Sequence, residues 1–536
     1  LLNKIVPLPR QYQYDAFNYL QLKRSAALAM EQGLGKTKVC LMYAEYLYNL
    51  GVTDRILVIC PNSLKYQWVE DEPNTHLIND FKGMFWDNFV TKKRKKEFDC
   101  FLLYKGLKIF SVNYEAFSSN RVDKYIIQYL KDKEALIVCD ESTEIKNPKA
   151  LRTIKILSRF IKRKYKVILS GTLLNNSPFD LWPQYEFLYP NFWGMDYSMF
   201  IYHHAMMIKK THPVTNAVKN AVMTEFDFNI IKSRLNKIIK DKGRLTEKDF
   251  EYLSDILFVR EKDLISIHAM GKFTPYKNLT ELRNKMSKVT FYCKKEGNLE
   301  LPEKIYNKLE CELNAEQKRL IKELKSDLMT QYEDKTLTLK SVICLLLRQQ
   351  MITGGLFPYE DIIFDSDGYP IDSIKGTNYI DNVEKFNLFE EYIASVGDGD
   401  TVIVWAIFKY ELLKLHEILL DNGKSAYLYY GDTPHNERQE IIENFRQGKA
   451  QYLVINPAVG KFGLNLQIAN RQLFYSNSWK ADNRLQAEDR SHRLGQKRAV
   501  IYTDVICRNS VDEKILKALK NKTDLINYLR SNPKEF

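Results

Sequence analysis

The sequence predicts an α/β protein: two units of alternating strands and helices, with a mostly helical block between them. Three observations predict it. A glycine loop, Glu31–Thr37 (EQGLGKT), joins the apolar run Ala26–Met30 to a helical pattern over Val39–Leu50. Another apolar run, Ala135–Cys139, ends in the acid pair Asp140-Glu141. After a long charged stretch the alternation resumes near residue 381 and closes on LQAEDRSHRLGQ, which carries Arg490 and Arg493. The expected boundaries are 1–195 for the first unit, 196–380 for the helical insertion and linker, 381–510 for the second unit, and 511–536 for a C-terminal helical brace.

Bulk properties narrow the class. A chain of 536 residues is long enough for two to four domains. The formal net charge of +13 favours a polyanionic partner without requiring one. Eight cysteines, at 40, 60, 100, 139, 293, 311, 344 and 507, form no CxxC pair and no zinc-spaced cluster with histidine. They predict a reducing, cytosolic-type compartment. No apolar run reaches the ~18–20 residues that span a bilayer. The opening Leu1 predicts a natural chain that begins upstream.

In chain order, LPRQYQ (8–13) comes first. The Gln13 amide carries a donor and an acceptor, which suits an adenine edge and equally suits a polar helix position. In the loop that follows, glycines let backbone N–H groups close round an anion, and the new helix adds its positive end. Lys36 then reaches the terminal phosphates and Thr37 holds Mg²⁺. Met30 stands where the strict pattern has glycine. Arg55–Cys60 is a buried strand closed by Pro61, and Ser63 falls at its C-terminal end, where open α/β sheets bind ligands. Trp68 reads as core. The basic run TKKRKKEF (91–98) reads as a solvated face or as a phosphate-contacting loop.

Lys108–Val112 is the next strand, leading to Asn113 and Tyr114. At Asp140-Glu141 two acids at a buried strand end repel each other unless a cation sits beside them. A Mg²⁺ on Asp140, with Glu141 polarising water, resolves the conflict. Tyr165–Leu169 is a strand ending in Ser170-Gly171-Thr172. Residues 196–380 lose strand signals and show charged helical patterns at 315–331 and 336–350. Strands are expected again at Thr401–Ala406, Ala426–Tyr430, Tyr452–Asn456 and Gln472–Ser476, with a helix at Tyr410–Asp421. Arg490 and Arg493, three apart, are expected on one helical face. A phosphate loop in one unit and paired arginines in another suit an arginine-finger ATPase, against the plainer reading of an ion-pair network with Glu488 and Asp489.

These residues together resemble the Swi/Snf-like ATPases of helicase superfamily 2, the double-stranded DNA translocases related to chromatin remodellers. The resemblance covers about 8–195 and 282–518 and rests on LPRQYQ, MEQGLGKT, LVICPNSLKYQW, SVNYE, VCDESTEIKNP, LSGTLLNNSPFDLW, LELPEK, VIVWAIF, GLNL and QAEDRSHRLGQ. It implies two RecA-like lobes and the cofactors ATP and Mg²⁺. It places Arg10 and Gln13 at adenine, and Gly33, Leu34, Gly35, Lys36 and Thr37 round the phosphates. Asp140 serves the metal and Glu141 activates water. Gln486 faces the γ-phosphate, while Arg490 and Arg493 complete hydrolysis. Ser170, Gly171 and Thr172 couple the lobes, and Gly463 and Asn465 sense nucleotide and DNA. The implied track-binding segments are 61–65 (with Pro61 and Ser63), 113–115 (with Asn113 and Tyr114) and 457–465. Departures are Ser142-Thr143 where the family has Ala-His, Met30, Lys461, and Tyr292-Cys293 in place of an arginine pair.

The expected function is DNA-stimulated ATP hydrolysis coupled to movement along duplex DNA with little sequence specificity. The alternative is a strand-separating or branch-migrating helicase acting on branched DNA. A scaffold with a degraded ATPase is the third reading, opposed by the intact Lys36, Asp140, Glu141, Arg490 and Arg493. A monomer with no membrane partner is expected. Size points to a prokaryotic or viral source, and a eukaryotic source would place the protein in the nucleus.

Overall fold

The structure is a computed structural model. It describes residues 6–88, 91–119, 121–131, 133–171, 173, 177–211, 218–223, 225–242, 245–257, 263–264, 276–330, 339–364, 370–460 and 464–521. The chain divides into two compact units, 1–298 and 299–536.

Unit one is organised by a seven-stranded sheet. Its strands are β1 (Ala26–Met30), β2 (Arg55–Cys60), β3 (Phe81–Phe85), β4 (Leu107–Asn113), β5 (Leu136–Asp140), β6 (Tyr165–Ser170) and β9 (Thr290–Cys293), in the order β3-β4-β2-β5-β6-β1-β9. Every neighbouring pair is parallel. All strand C-termini therefore lie along one edge, where ligands of such sheets bind. β1, β2, β5 and β6 are almost wholly buried, as runs covered on both faces must be. One face packs aromatics: Phe98 meets Tyr125 edge-on at 5.2 Å and Phe101 stacks on Tyr129 at 5.7 Å. The basic run at 91–98 belongs to the helix Lys92–Leu102. Phe98 and Phe101 anchor that helix in the core, while Lys92, Lys93, Lys95 and Lys96 are exposed.

Unit two holds a six-stranded parallel sheet. Its strands are β10 (Lys304–Cys311), β13 (Val402–Trp405), β14 (Ala426–Tyr429), β15 (Tyr452–Ile455), β16 (Arg471–Phe474) and β17 (Val500–Cys507), ordered β10-β17-β16-β13-β15-β14. The α/β alternation and both parallel sheets agree with the expected fold class.

The stretch 196–380 holds the expected helices, among them Glu225–Lys242, Ala315–Thr330 and Leu339–Thr353. It also holds β9, β10 and two antiparallel hairpins: β7 (Met207–Thr211) with β8 (Val218–Val222), and β11 (Leu356–Phe364) with β12 (Pro370–Tyr379). The physical reason is legible in β10. As an edge strand it leaves Tyr306, Asn307 and Lys308 exposed, so it shows no apolar run. A small separate core of Met206, Met223, Phe228, Ile231 and Leu235 packs within this stretch. Among the described residues no helix is long and apolar enough to cross a membrane.

Candidate nucleotide site

Strand β1 delivers the glycine loop to the C-terminal edge of its sheet. Gly33 and Gly35 take left-handed backbone, φ 84° and 78°, which a residue with a Cβ adopts at a cost. Gly35 caps the helix Lys36–Asn49, which starts three residues before the expected Val39. A Cβ on Gly35 would collide with the Gln13 amide, so this glycine is fixed by close approach as well as by φ. Gln13 is buried; its Nε2 donates to the Leu34 carbonyl at 3.0 Å and its Oε1 accepts from the Arg10 backbone N–H at 3.0 Å. One amide N–H and one oxygen lone pair remain on it. In this structure Gln13 braces the loop, Leu34 is buried beneath it, and Arg10 is exposed. Lys36 Nζ donates to the Met30 carbonyl at 2.9 Å across the loop. A bound phosphate would take that ammonium from a neutral acceptor.

Two strands away, β5 ends on Asp140. Its carboxylate accepts from Trp68 Nε1 at 2.8 Å and from the Glu141 backbone N–H at 3.0 Å. Burial, and then the Glu141 charge, push Asp140 up to about 7, against the Trp68 hydrogen bond and the Lys36 ammonium, which pull it down. A buried carboxyl so displaced is one that a cation would stabilise. Asp140 and the half-buried Thr37 hydroxyl are hard oxygen donors, and few protein ligands suffice for Mg²⁺ when phosphate supplies others. The residues therefore fit the metal. Among the described residues no group of three or more His, Cys, Asp or Glu gathers as a metal site. Glu141 holds a left-handed backbone, φ 52°, uncommon outside glycine and asparagine.

Between β5 and β1 lies β6, ending on the buried Ser170. A Cβ on the next residue, Gly171, would stand 3.4 Å from Gln32 Cγ and 3.9 Å from Lys36 Nζ. The glycine loop, the acid pair and the Ser170-Gly171 segment are thus brought to one edge. Thr172 lies outside the described residues. Ser142 Oγ donates to Gln184 Oε1 at 2.6 Å, and Gln184 Nε2 donates in turn to the Leu173 and Asp180 carbonyls. This chain ties the turn after Asp140 to the segment after Ser170.

The segments expected to touch a track divide. Ser63 is exposed and Pro61 buried. Asn113 donates to Glu115 Oε2 at 2.7 Å. Tyr114 corrects the expectation: its ring is fully buried and its hydroxyl donates to the Asp140 carbonyl at 2.7 Å. That side chain supports the acid pair and reaches no surface. Trp68, read as core, is core and also the donor that orients Asp140.

In unit two the helix Ala481–Glu488 carries Gln486 and ends before both arginines. Arg490 and Arg493 therefore share no helical face; they lie in the turn beyond it. Both aim Nη1 at the Leu464 carbonyl, at 3.2 and 3.4 Å. The neighbouring Asn465 carbonyl accepts from Arg446 Nε at 2.9 Å. Gln486 Oε1 is buried with no hydrogen-bond partner among the described residues. Gly463 and Lys461 lie outside the described residues. The ion-pair network does exist, on a different arginine. Arg484 bonds Glu488 Oε1 at 2.9 Å, Asn477 Oδ1 at 2.7 Å and both oxygens of Asp504. Lys304 and Tyr306 also engage Glu488.

The family described as "SNF2-related domain" matches residues 12–353, and "Helicase conserved C-terminal domain" matches 384–495. Among curated relatives, "ATP-dependent helicase FUN30" of Saccharomyces cerevisiae is 24% identical over 98% of this chain and 47% of its own length. The zebrafish (Danio rerio) "SWI/SNF-related matrix-associated actin-dependent regulator of chromatin subfamily A containing DEAD/H box 1A" is 26% identical over 94% of this chain and 50% of its own. This chain thus spans about half the length of these relatives. Both are eukaryotic and lend no support to a prokaryotic or viral source. A solved structure, "Sulfolobus solfataricus SWI2/SNF2 ATPase core in complex with dsDNA", is 22% identical, covers 98% of this chain and 94% of its own, and superposes with a TM-score of 0.36.

Proposed function

This chain belongs to the SNF2-related family, and from that premise we propose that it hydrolyses ATP and couples hydrolysis to movement along double-stranded DNA. The single observation that carries the proposal is the gathering of Gly33–Thr37, Asp140-Glu141 and Gly171 at one sheet edge. The loop's backbone N–H groups hold the phosphates, and Lys36 exchanges the Met30 carbonyl for a phosphate oxygen. Trp68 and the Glu141 N–H keep the Asp140 carboxylate in one orientation. Asp140 and Thr37 would hold Mg²⁺, which would neutralise phosphate charge. Glu141 takes the proton of the attacking water. Arg490 and Arg493 carry the charge-stabilising role, with Gln486 beside them; an arginine of this kind is worth roughly 10³–10⁵ in rate.

Double-stranded DNA is the proposed track, held through phosphates and read with little sequence specificity. Strand separation on branched DNA is the competing outcome. Steady-state ATP hydrolysis is to be measured with no nucleic acid, duplex DNA, single-stranded DNA and RNA, with Glu141→Gln as control. Stimulation by duplex that grows with its length and vanishes in Glu141→Gln supports the proposal. Preference for single strands, with opening of a forked duplex, moves the assignment to a helicase. Equal rates under all four conditions would overturn DNA coupling.

A further inference from the structure

Cys311 and Cys507 end two adjacent parallel strands and stand opposite each other in register. Neighbouring strands lie about 4.8 Å apart, within the Cα separation of about 4.4–6.8 Å that a disulfide bridges. The two sulfurs are 3.4 Å apart. Both residues are buried, in an apolar pocket with Leu313, Ile321 and Leu388. A small side-chain rotation joins them without moving either strand.

Access is asymmetric. Cys311 lines a cavity of about 390 Å³ together with Glu312, Asn314, Asn382, Glu384 and Arg508. Cys507 is not part of that lining; its sulfur lies 3.7 Å from the Thr353 carbonyl and its N–H donates to Asp512 Oδ2 at 3.1 Å. Asp512 in turn holds the buried Lys385 ammonium at 2.8 Å. The Cys507 thiol and then the Lys385 charge hold Cys311 below the usual thiol range, while the Cys311 contact and burial push Cys507 up. The thiol that lines the cavity, Cys311, is the one an entering reagent meets first.

We propose that Cys311 and Cys507 are a dithiol modification site: a low-molecular-weight disulfide entering the Cys311 cavity oxidises the pair to a reversible disulfide that clamps edge strand β10 to β17. In the first step Cys311 loses its proton to solvent and its thiolate attacks one sulfur of the small disulfide. That S–S bond breaks, a mixed disulfide forms on Cys311, and the released thiolate takes up a proton. Cys507 then loses its proton and attacks Cys311 Sγ, expelling the second small thiol. Two protein thiols are oxidised to one disulfide and one small disulfide is reduced to two thiols. β10 is the first strand of unit two and, among the described residues, has β17 as its one neighbour in the sheet, so oxidation ties that edge strand covalently.

The test uses the full chain with the exposed Cys100 and Cys344 replaced by serine. The folded protein is incubated with oxidised glutathione, alkylated, digested without reductant and mapped by mass spectrometry. Two alkylatable thiols are expected to disappear, with one linked peptide pair containing Cys311 and Cys507, reversed by dithiothreitol. The oxidised chain is expected to melt at a higher temperature than the reduced one. Cys507→Ser should stop at a glutathione adduct on Cys311. A stable adduct on Cys311 while Cys507 stays free, a linkage between other cysteines, or no thiol loss in the folded chain overturns the proposal. The decisive mapping is made with Cys311 and Cys507 both intact, so it does not depend on whether their variants fold.

Discussion

At the scale of single residues, the placement of Lys36 and Asp140 at one sheet edge was legible and the side chains that support them were not. Asp140 announces itself at the end of an apolar run, and Lys36 at the end of the glycine loop that follows one. Trp68 and Tyr114 do not, because a buried aromatic with a polar tip reads in sequence as core. Trp68→Phe removes the donor to Asp140 Oδ2. A hydrogen bond to a charged group is worth ~1.5–3 kcal/mol, so ATP turnover should fall roughly 10- to 100-fold. Trp68→His, which restores a ring N–H, should recover part of that loss in the same assay. A second buried acid gives a pH prediction. Glu411 is fully buried beside Ser476 and the Phe408 N–H, and burial pushes it up from 4.5 to about 7. Between those values the unfolded chain releases this proton while the folded chain keeps it. Stability should therefore fall as pH rises from 4.5 to about 7 and level off above. The full displacement corresponds to roughly 3 kcal/mol. Glu411→Gln should remove this part of the slope and raise the melting temperature above pH 7, measured by thermal unfolding across pH.

At the scale of elements, apolar runs marked the central strands of the first unit and β13, β15 and β16 of the second, because parallel strands covered on both faces are largely apolar; central β17, interrupted by Thr503-Asp504, was not among the expected strands. The strand Arg55–Cys60 falls where its sequence puts it. The edge strand β10 and the hairpins were hidden for the converse reason: residues 305–308 of β10 are all exposed, so it shows neither an apolar run nor an alternation. The end of the helix Ala481–Glu488 was hidden too, since i, i+3 spacing of Arg490 and Arg493 fits a helix and a turn alike. Nothing in spacing alone distinguishes Arg484 from these two, yet it is the one enclosed by carboxylates. Phe474 covers its guanidinium at 3.5 Å, and Asp504, Glu488 and Asn477 take its donors. Arg484→Ala takes the guanidinium from two buried acids, leaving Glu488 to Lys304 and Tyr306 and Asp504 to Asn477, and should cost about 3–5 kcal/mol. Chemical denaturation followed on unit two checks this, with a lower midpoint as the expected result.

At the scale of the whole molecule, the α/β class and the two parallel sheets were legible because glycine loop, acid pair and resumed alternation each mark a strand end. The net charge of +13 belongs to this scale as well. If the track is duplex DNA gripped by phosphates, log affinity should fall linearly with log salt, by about 0.9 per phosphate neutralised. A fluorescence titration from low to physiological salt measures that slope, and a flat response would speak against phosphate-based grip.

Sheet order in unit one has a further consequence, for the chain as it is being made. β1, which carries the glycine loop, lies between β6 and β9, and β9 is contributed by Thr290–Cys293. While the ribosome works through the intervening residues, the Ala26–Met30 strand has no neighbour on that side. An open apolar edge recruits other chains. A fragment ending at residue 288 should therefore emerge largely as aggregate, whereas one ending at 298, the limit of the first unit, should stay in the soluble fraction. The glycine loop is thus synthesised well before the strand that shelters it.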